Sequence, residues 1–171
     1  MEFKSVVKKR GSVRKYDLSK TVSVEVVNRV LEAARLAPSA CNLQPWHFIV
    51  IRDAKKKEAM KEVYAREWFY TAPVVIVGCV DTSVSWKRPA DKFVAALVDL
   101  AIAFEHLVLA AADESLGTCW VCNFNNETAR HILKVPENIQ IAAMTPLGYP
   151  AEETQARPRK TLKEIIHEDT W

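Results

Sequence analysis

Glycine is scarce in this 171-residue chain: only Gly11, Gly78, Gly117 and Gly148 occur. No arrangement of these isolated glycines gives a dinucleotide fingerprint or a phosphate-cradling P-loop. Any nucleotide-like ligand must therefore be held by side chains and single turns. Cysteine is equally sparse. Cys41, Cys79, Cys119 and Cys122 lie scattered in apolar contexts and read as reduced thiols, which implies the cytoplasm and excludes a disulfide framework. Charge of one sign is lacking too: 24 Lys and Arg stand against 21 Asp and Glu, and a balance of +3 implies no nucleic-acid partner by itself. The amino terminus has no apolar secretory stretch. The longest apolar region, Phe93 to Ala112, is broken by Asp99, Glu105 and His106, so it reads as a buried helix and not a membrane span. No serine, histidine and carboxylate grouping suggests an acyl-transfer triad.

What is present is organised around Ala37-Pro38-Ser39-Ala40-Cys41-Asn42-Leu43-Gln44-Pro45-Trp46, ten residues without a charge. Its two prolines fix φ, remove backbone donors and push the residues before them out of the helical region. Between them, Ser39, Asn42 and Gln44 both donate and accept hydrogen bonds. A rigid, polar, uncharged segment followed by an indole suits a flat, neutral, heteroatom-rich ligand.

The length fits a single domain, residues 1–171, with a core of its own. Helices are expected over Phe3–Lys9, from a Ser23 cap to Pro38, from an Asp53 cap to about Tyr64, over Lys92–Glu114, and from Asn125 or Asn126 to before Pro136. Strands are expected at His47–Ile51, Pro73–Val80, Leu116–Val121 and Ile139–Leu147, with a loop over Ser83–Asp91. The alternation implies a mixed sheet with helices packed on it. The apolar Lys92–Glu114 helix should cross the middle of the structure or pair with another subunit.

Arg10, Ser12 and Arg14 project two permanent charges and a hydroxyl from a short turn, which suits a phosphate or an electron-rich carbonyl. The same residues also read as the solvated basic end of a helix. Arg157-Pro158-Arg159-Lys160 forms a second basic cluster, open to the same two readings. Cys119-Trp120-Val121-Cys122 has redox spacing, but a thioredoxin-type pair sits at a helix start, whereas this one falls in or at the end of a strand. A zinc site would need further ligands at suitable spacing, so core thiols are favoured and no metal is expected. His106 on its apolar helix reads as a core or interface residue. Lys8, Lys9, Arg10, Arg14 and Lys15 also allow a basic nucleic-acid-associated domain, but one without interleaved aromatics.

The motifs Arg10-x-Ser12-x-Arg14 and Pro38-Ser39-x-x-Asn42-x-Gln44-Pro45-Trp46 together resemble the nitroreductase family of FMN-dependent oxidoreductases. The likeness continues through Leu116-Gly117-Thr118-Cys119-Trp120, Leu147-Gly148-Tyr149-Pro150, and the basic tail ahead of Leu162–His167. The resemblance implies an α+β sandwich with a central mixed sheet flanked by helices, and an intertwined homodimer holding FMN at the subunit interface. It implies that Arg10, Gly11, Ser12 and Arg14 bind the ribityl phosphate and pyrimidine edge. Pro38, Ser39, Ala40 and Asn42 of the other subunit would line the isoalloxazine, and Trp120, Val121 and Cys122 would face its N5 region. Arg157 and Arg159 match carboxy-terminal phosphate ligands, with Lys160 a substitute. NAD(P)H is the implied electron donor and a nitroaromatic, quinone or similar small molecule the acceptor, in a ping-pong cycle. No protein side chain is assigned as catalytic, since the flavin carries the chemistry; Arg14 is the nominated electrostatic stabiliser. A flavin-binding protein without turnover is the alternative. Two departures stand out: Cys122 replaces a glycine frequent in relatives, and the Tyr64–Pro73 region is short.

Overall fold

The stretch Val74–Asp81 (β2) carries no charge before its last residue and is rich in β-branched side chains, so it can be covered on both faces. It lies inside a four-stranded sheet of order β1-β2-β4-β3, flanked by Trp46–Ile51 (β1) and Ile139–Gly148 (β4), with the short Gly117–Thr118 (β3) beyond β4. The three ladders are antiparallel, running from Trp46 opposite Val80, Val74 opposite Leu147 and Gly117 opposite Gly148. The parallel component of the sheet is the bridge from Ser12 to Thr118. The computed structural model describes residues 1–154 and 157–171.

Side-chain alternation along β2 divides the core. Val74, Ile76 and Val80 face one cluster, covered by Val24–Arg35 (α2) and the long helix Ala96–Asp113 (α5). Val75, Val77 and Cys79 face the other, covered by Met60, by Phe69 of Glu67–Tyr70 (α4) and by Ala129 of Asn126–Leu133 (α6). The remaining helices are Phe3–Lys9 (α1) and Ala54–Ala59 (α3). Caps form where the sequence places them: Ser23, Asp53 and Asn125 accept from Val26, Lys56 and Thr128 backbone N–H groups. Among the described residues no helix is long and apolar enough to cross a membrane.

Three boundaries and the covering of one strand differ from expectation. α5 begins at Ala96 because Arg88–Phe93 closes into a turn with Lys92 at φ 62° and Lys87 bridged to Val94. α3 stops at Ala59, where Met60–Tyr64 tightens into turns that drive Met60 and Val63 into the core. The strand expected over Leu116–Val121 pairs only at Gly117–Thr118 and again at Val121, which exchanges both hydrogen bonds with Met144. β1 is an edge strand with His47 exposed, so it is not covered along both faces. The short Tyr64–Pro73 region holds α4.

Gly117 is where the amino-terminal segment is clamped to the sheet. Val13 N–H donates to Thr118 O at 2.8 Å, and a methyl at Gly117 would lie 2.5 Å from Val13 Cγ2. Gly117→Ala is therefore expected to lower the unfolding free energy by about 1–3 kcal/mol, as overpacking does. Urea denaturation reads this directly, and an unchanged midpoint would contradict the clamp.

Candidate functional site

Cations reach one groove from both ends of the chain. α1 ends at Arg10, whose N–H closes on Val6 O at 2.8 Å, and the chain then runs extended beside β3. Extended backbone alternates its side chains, so buried Val13 points inward while Ser12 and Arg14 are turned outward. From β4 the chain doubles back along this segment, with Asp17 N–H on Tyr149 O at 2.9 Å and Ala151 N–H on Lys15 O at 3.0 Å. The tail is thereby led to the same place. The groove between the two segments has a volume of about 1590 Å³ and is lined by Arg10, Gly11, Ser12, Arg14, Arg157 and Arg159, with Leu116–Thr118 among its walls. Lys160 is not among its lining residues.

The electrostatics of the groove are one-sided. Lys8 and Lys9 add to the four arginines, against Glu152 and Glu153, and Glu152 is itself paired with Lys15 at 3.6 Å. Among the described residues, Arg10, Arg14, Arg157 and Arg159 form no ion pair with a carboxylate. Permanent cations left without counter-charges around one concavity constitute an anion-binding surface. Arg14 is backed by Trp68, its guanidinium carbon lying 5.8 Å from the indole centroid. Buried Cys119 lies behind it: burial pushes this thiol up, and the neighbouring Arg14 and Ser12 pull against that shift. Tyr16 closes the back of the turn, donating to Val13 O at 2.8 Å.

The other nominated residues lie elsewhere. Pro38, Ser39, Ala40 and Asn42 belong to a turn that is not part of the groove; Ala40–Asn42 is a short 3-10 turn, with Cys41, Asn42 and Gln44 all at positive φ (52°, 55° and 49°). Ser39 Oγ accepts from Gln44 N–H at 2.9 Å, and Ala40 N–H donates to Asp99 Oδ1 at 3.0 Å. This turn therefore sits at the first turn of α5, whereas Ala112 in the last turn borders the groove. Ala112 lies thirteen positions along the helix from Asp99, roughly 20 Å at about 1.5 Å per residue. Trp120 packs edge-on against Phe104 in mid-helix, with centroids 4.5 Å apart; Val121 is buried and Cys122 exposed.

Sequence reasoning missed Trp68 and Asp99. Trp68 lies far from the basic motif in sequence, and no spacing rule links them. Asp99 gave a signal as a carboxylate in an apolar helix, but together with Glu105 and His106 it served only to exclude a membrane span.

The thiols divide cleanly. Burial pushes Cys79 up to about 11 and raises Cys119, while Cys41 and Cys122 are exposed. Because burial disfavours the thiolate, the reactive form, a thiol reagent at pH 7 is expected to reach Cys79 and Cys119 only on unfolding. Four fast thiols in the native protein would contradict this burial.

Comparison with known proteins places these features in a family. The family model described as "Nitroreductase family" matches residues 7–68 and 60–149. A protein of Archaeoglobus fulgidus, provisionally named NADH dehydrogenase/NAD(P)H nitroreductase, is 36% identical over 169 residues, covering 95% of this chain and 94% of its own length. The crystal structure of a nitroreductase family protein from Clostridium difficile 630 superposes with a TM-score of 0.92 at 30% identity, covering all of both chains. A second structure, described as an FMN-dependent nitroreductase from Clostridium difficile R20291, gives a TM-score of 0.80 at 28% identity, covering 97% of this chain and 98% of that one. The matched segments carry the amino-terminal basic turn, the α2–β1 connection and all four strands, and the chain belongs to the nitroreductase family.

Proposed function

We propose that this oxidoreductase binds FMN and uses NAD(P)H to reduce electron-poor acceptors such as nitroaromatics or quinones, working as a homodimer with a flavin at each subunit interface. The observation that carries the reading is the groove in which Arg10, Ser12 and Arg14 meet Arg157 and Arg159. Uncompensated guanidinium groups suit both the dianionic phosphate and the electron-rich pyrimidine edge of a flavin mononucleotide. The FMN-dependent neighbour supports the choice of flavin.

Distance supports the dimer. Within one chain the cation groove and the Ser39–Gln44 turn lie at opposite ends of α5. Two copies of α5 packed antiparallel would set the turn of one subunit against the groove of the other. α5 has a face suited to this: Leu97 and Val98 are each 49% exposed, and Ala101 beside them is exposed. In the tail, Leu162, Ile165 and Ile166 are likewise uncovered, as expected of an arm that docks on a second subunit.

In this arrangement Arg157, Arg159 and Arg10 hold the phosphate, and Ser12 donates or accepts beside them. Arg14 would offer a permanent positive charge to the pyrimidine edge of the flavin, where negative charge accumulates on reduction, and so would favour the reduced form. Pro38, Ser39, Ala40 and Asn42 of the second subunit wall the ring, and Trp120, Val121 and Cys122 approach from mid-helix. When bound, FMN supplies the hydride and electron chemistry that couples NAD(P)H to the acceptor in two half-reactions of a ping-pong cycle. The protein's task is binding, orientation and water exclusion.

The first test is a visible spectrum of the purified protein with identification of the released chromophore. Bound FMN bleached by NAD(P)H supports the enzyme; bound FMN that NAD(P)H leaves oxidised supports a flavin-sequestering protein. A colourless protein that takes up no added FMN overturns the site. Arg14→Ala is expected to weaken FMN binding roughly tenfold or more, the scale of one charge-assisted hydrogen bond, or to lower the midpoint potential. Unchanged flavin content and potential would remove Arg14 from this role. Val98→Lys should yield a monomer by sedimentation and lose FMN together with the dimer; a monomer that binds FMN as tightly as the native protein would break the link between interface and site.

A further inference from the structure

The Ser39–Gln44 turn is costly to hold. Cys41, Asn42 and Gln44 all adopt left-handed backbone conformations without being glycine. Each such residue is strained and persists only where its surroundings over-determine it. The turn's own capping residue cannot supply what is missing. Ser39 commits its Oγ to Gln44 N–H and leaves the opening N–H of Ala40 without a partner inside the turn. That N–H is taken by Asp99 Oδ1 at 3.0 Å, from the first turn of the core helix α5.

Asp99 is itself an expensive choice. It is 2% exposed, among Ala96, Leu100 and Ala103, and its second oxygen, Oδ2, is buried with no hydrogen-bond partner among the described residues. A half-satisfied buried carboxylate weakens a core where an apolar residue would strengthen it. Stability does not account for it. The contact to Ala40 does.

We propose that Asp99 is the positioning residue of the flavin-lining turn, acting in place of a local cap to lock Cys41, Asn42 and Gln44 in their left-handed conformations and so fix the wall presented to the neighbouring subunit's flavin. This rests on the reading of that turn as part of the FMN site. Asp99 itself touches no reacting atom; it acts through the Ala40 amide. The part that matters is an acceptor at the Oδ1 position, which Asn retains and Leu does not.

The test compares Asp99→Asn with Asp99→Leu, using Asp99→Ala if the leucine is not accommodated. Native-state amide exchange at Ala40–Gln44, FMN dissociation constants and melting temperatures are measured together. Asp99→Leu should accelerate exchange in the turn at least tenfold and weaken FMN about tenfold, leaving β2 amides protected and melting nearly unchanged. Asp99→Asn should hold turn exchange and FMN affinity within about threefold of the native protein. Unchanged turn exchange in Asp99→Leu overturns the proposal, as does an equal loss in the asparagine variant. If the native protein takes up no FMN, the flavin reading fails separately, and turn exchange in the ligand-free protein still decides the role of Asp99.

Discussion

Helix α5 is apolar around more of its circumference than one chain can cover, and the rest of the molecule is arranged about that excess. One side packs on β2, where Phe104 and Leu100 lie over Gly78, whose missing side chain makes room for the ring. A second side receives Val27, Val30 and Ala34 of α2. The third, Leu97, Val98 and Ala101, stays open. An open apolar face of this kind fits the proposed dimer, and the helix also fixes the distance between the strained turn at its start and the cationic groove at its end. Hydrophobic burial thus sets the scaffold and leaves a surface on which a second copy would pack.

The scarcity of glycine then limits how an anion could be recognised. A glycine-rich loop would cradle phosphate with backbone N–H groups, whereas this chain has only side chains to offer. Guanidinium groups on flexible stems need backbone support to be useful. They get it from the Ser12–Thr118 bridge, the Val13–Thr118 hydrogen bond and the return of residues 149–151 beside the same segment. Trp68 and Cys119 complete the support behind Arg14. Position is built from sheet hydrogen bonds and charge from the arginines. The absence of an obvious acid–base pair fits a site whose hydride chemistry would be carried by a cofactor.

Much of this was legible in the sequence because the signals were local. Caps at Ser23, Asp53 and Asn125 and the apolar runs of β2 and β4 follow rules that span a few residues, and they fall where expected. The errors arose where tertiary contacts override local preference. The first residues of the expected central helix are drawn into the Lys87–Val94 turn, and Leu116–Val121 pairs only in part because Cys119 N–H goes to Thr145 Oγ1 instead of the ladder. For the site, the basic turn and tail were recognisable as clusters, but that they share one groove depends on β4 returning the chain beside them. Trp68 and Asp99 were illegible as site residues because their partners are distant in sequence.

Three features of the chain are unfavourable for an isolated monomer: left-handed non-glycine residues at 41, 42 and 44, a buried carboxylate oxygen without a donor, and an open apolar helix face. All three meet at the amino-terminal end of α5. On the far side of the sheet, by contrast, Met60, Phe69, Val75, Val77 and Met144 pack into an apolar cluster without a buried unpaired carboxylate among the described residues, and the left-handed Lys134 beside it is an ordinary cap at the end of α6. A sequence under selection for folding alone has no reason to concentrate its costs in one place. Local rules are broken together where a further requirement acts on the same atoms. The proposed dimer would supply such a requirement: a rigid, neutral wall at the edge of the subunit contact, opposite the cations that a partner chain would provide.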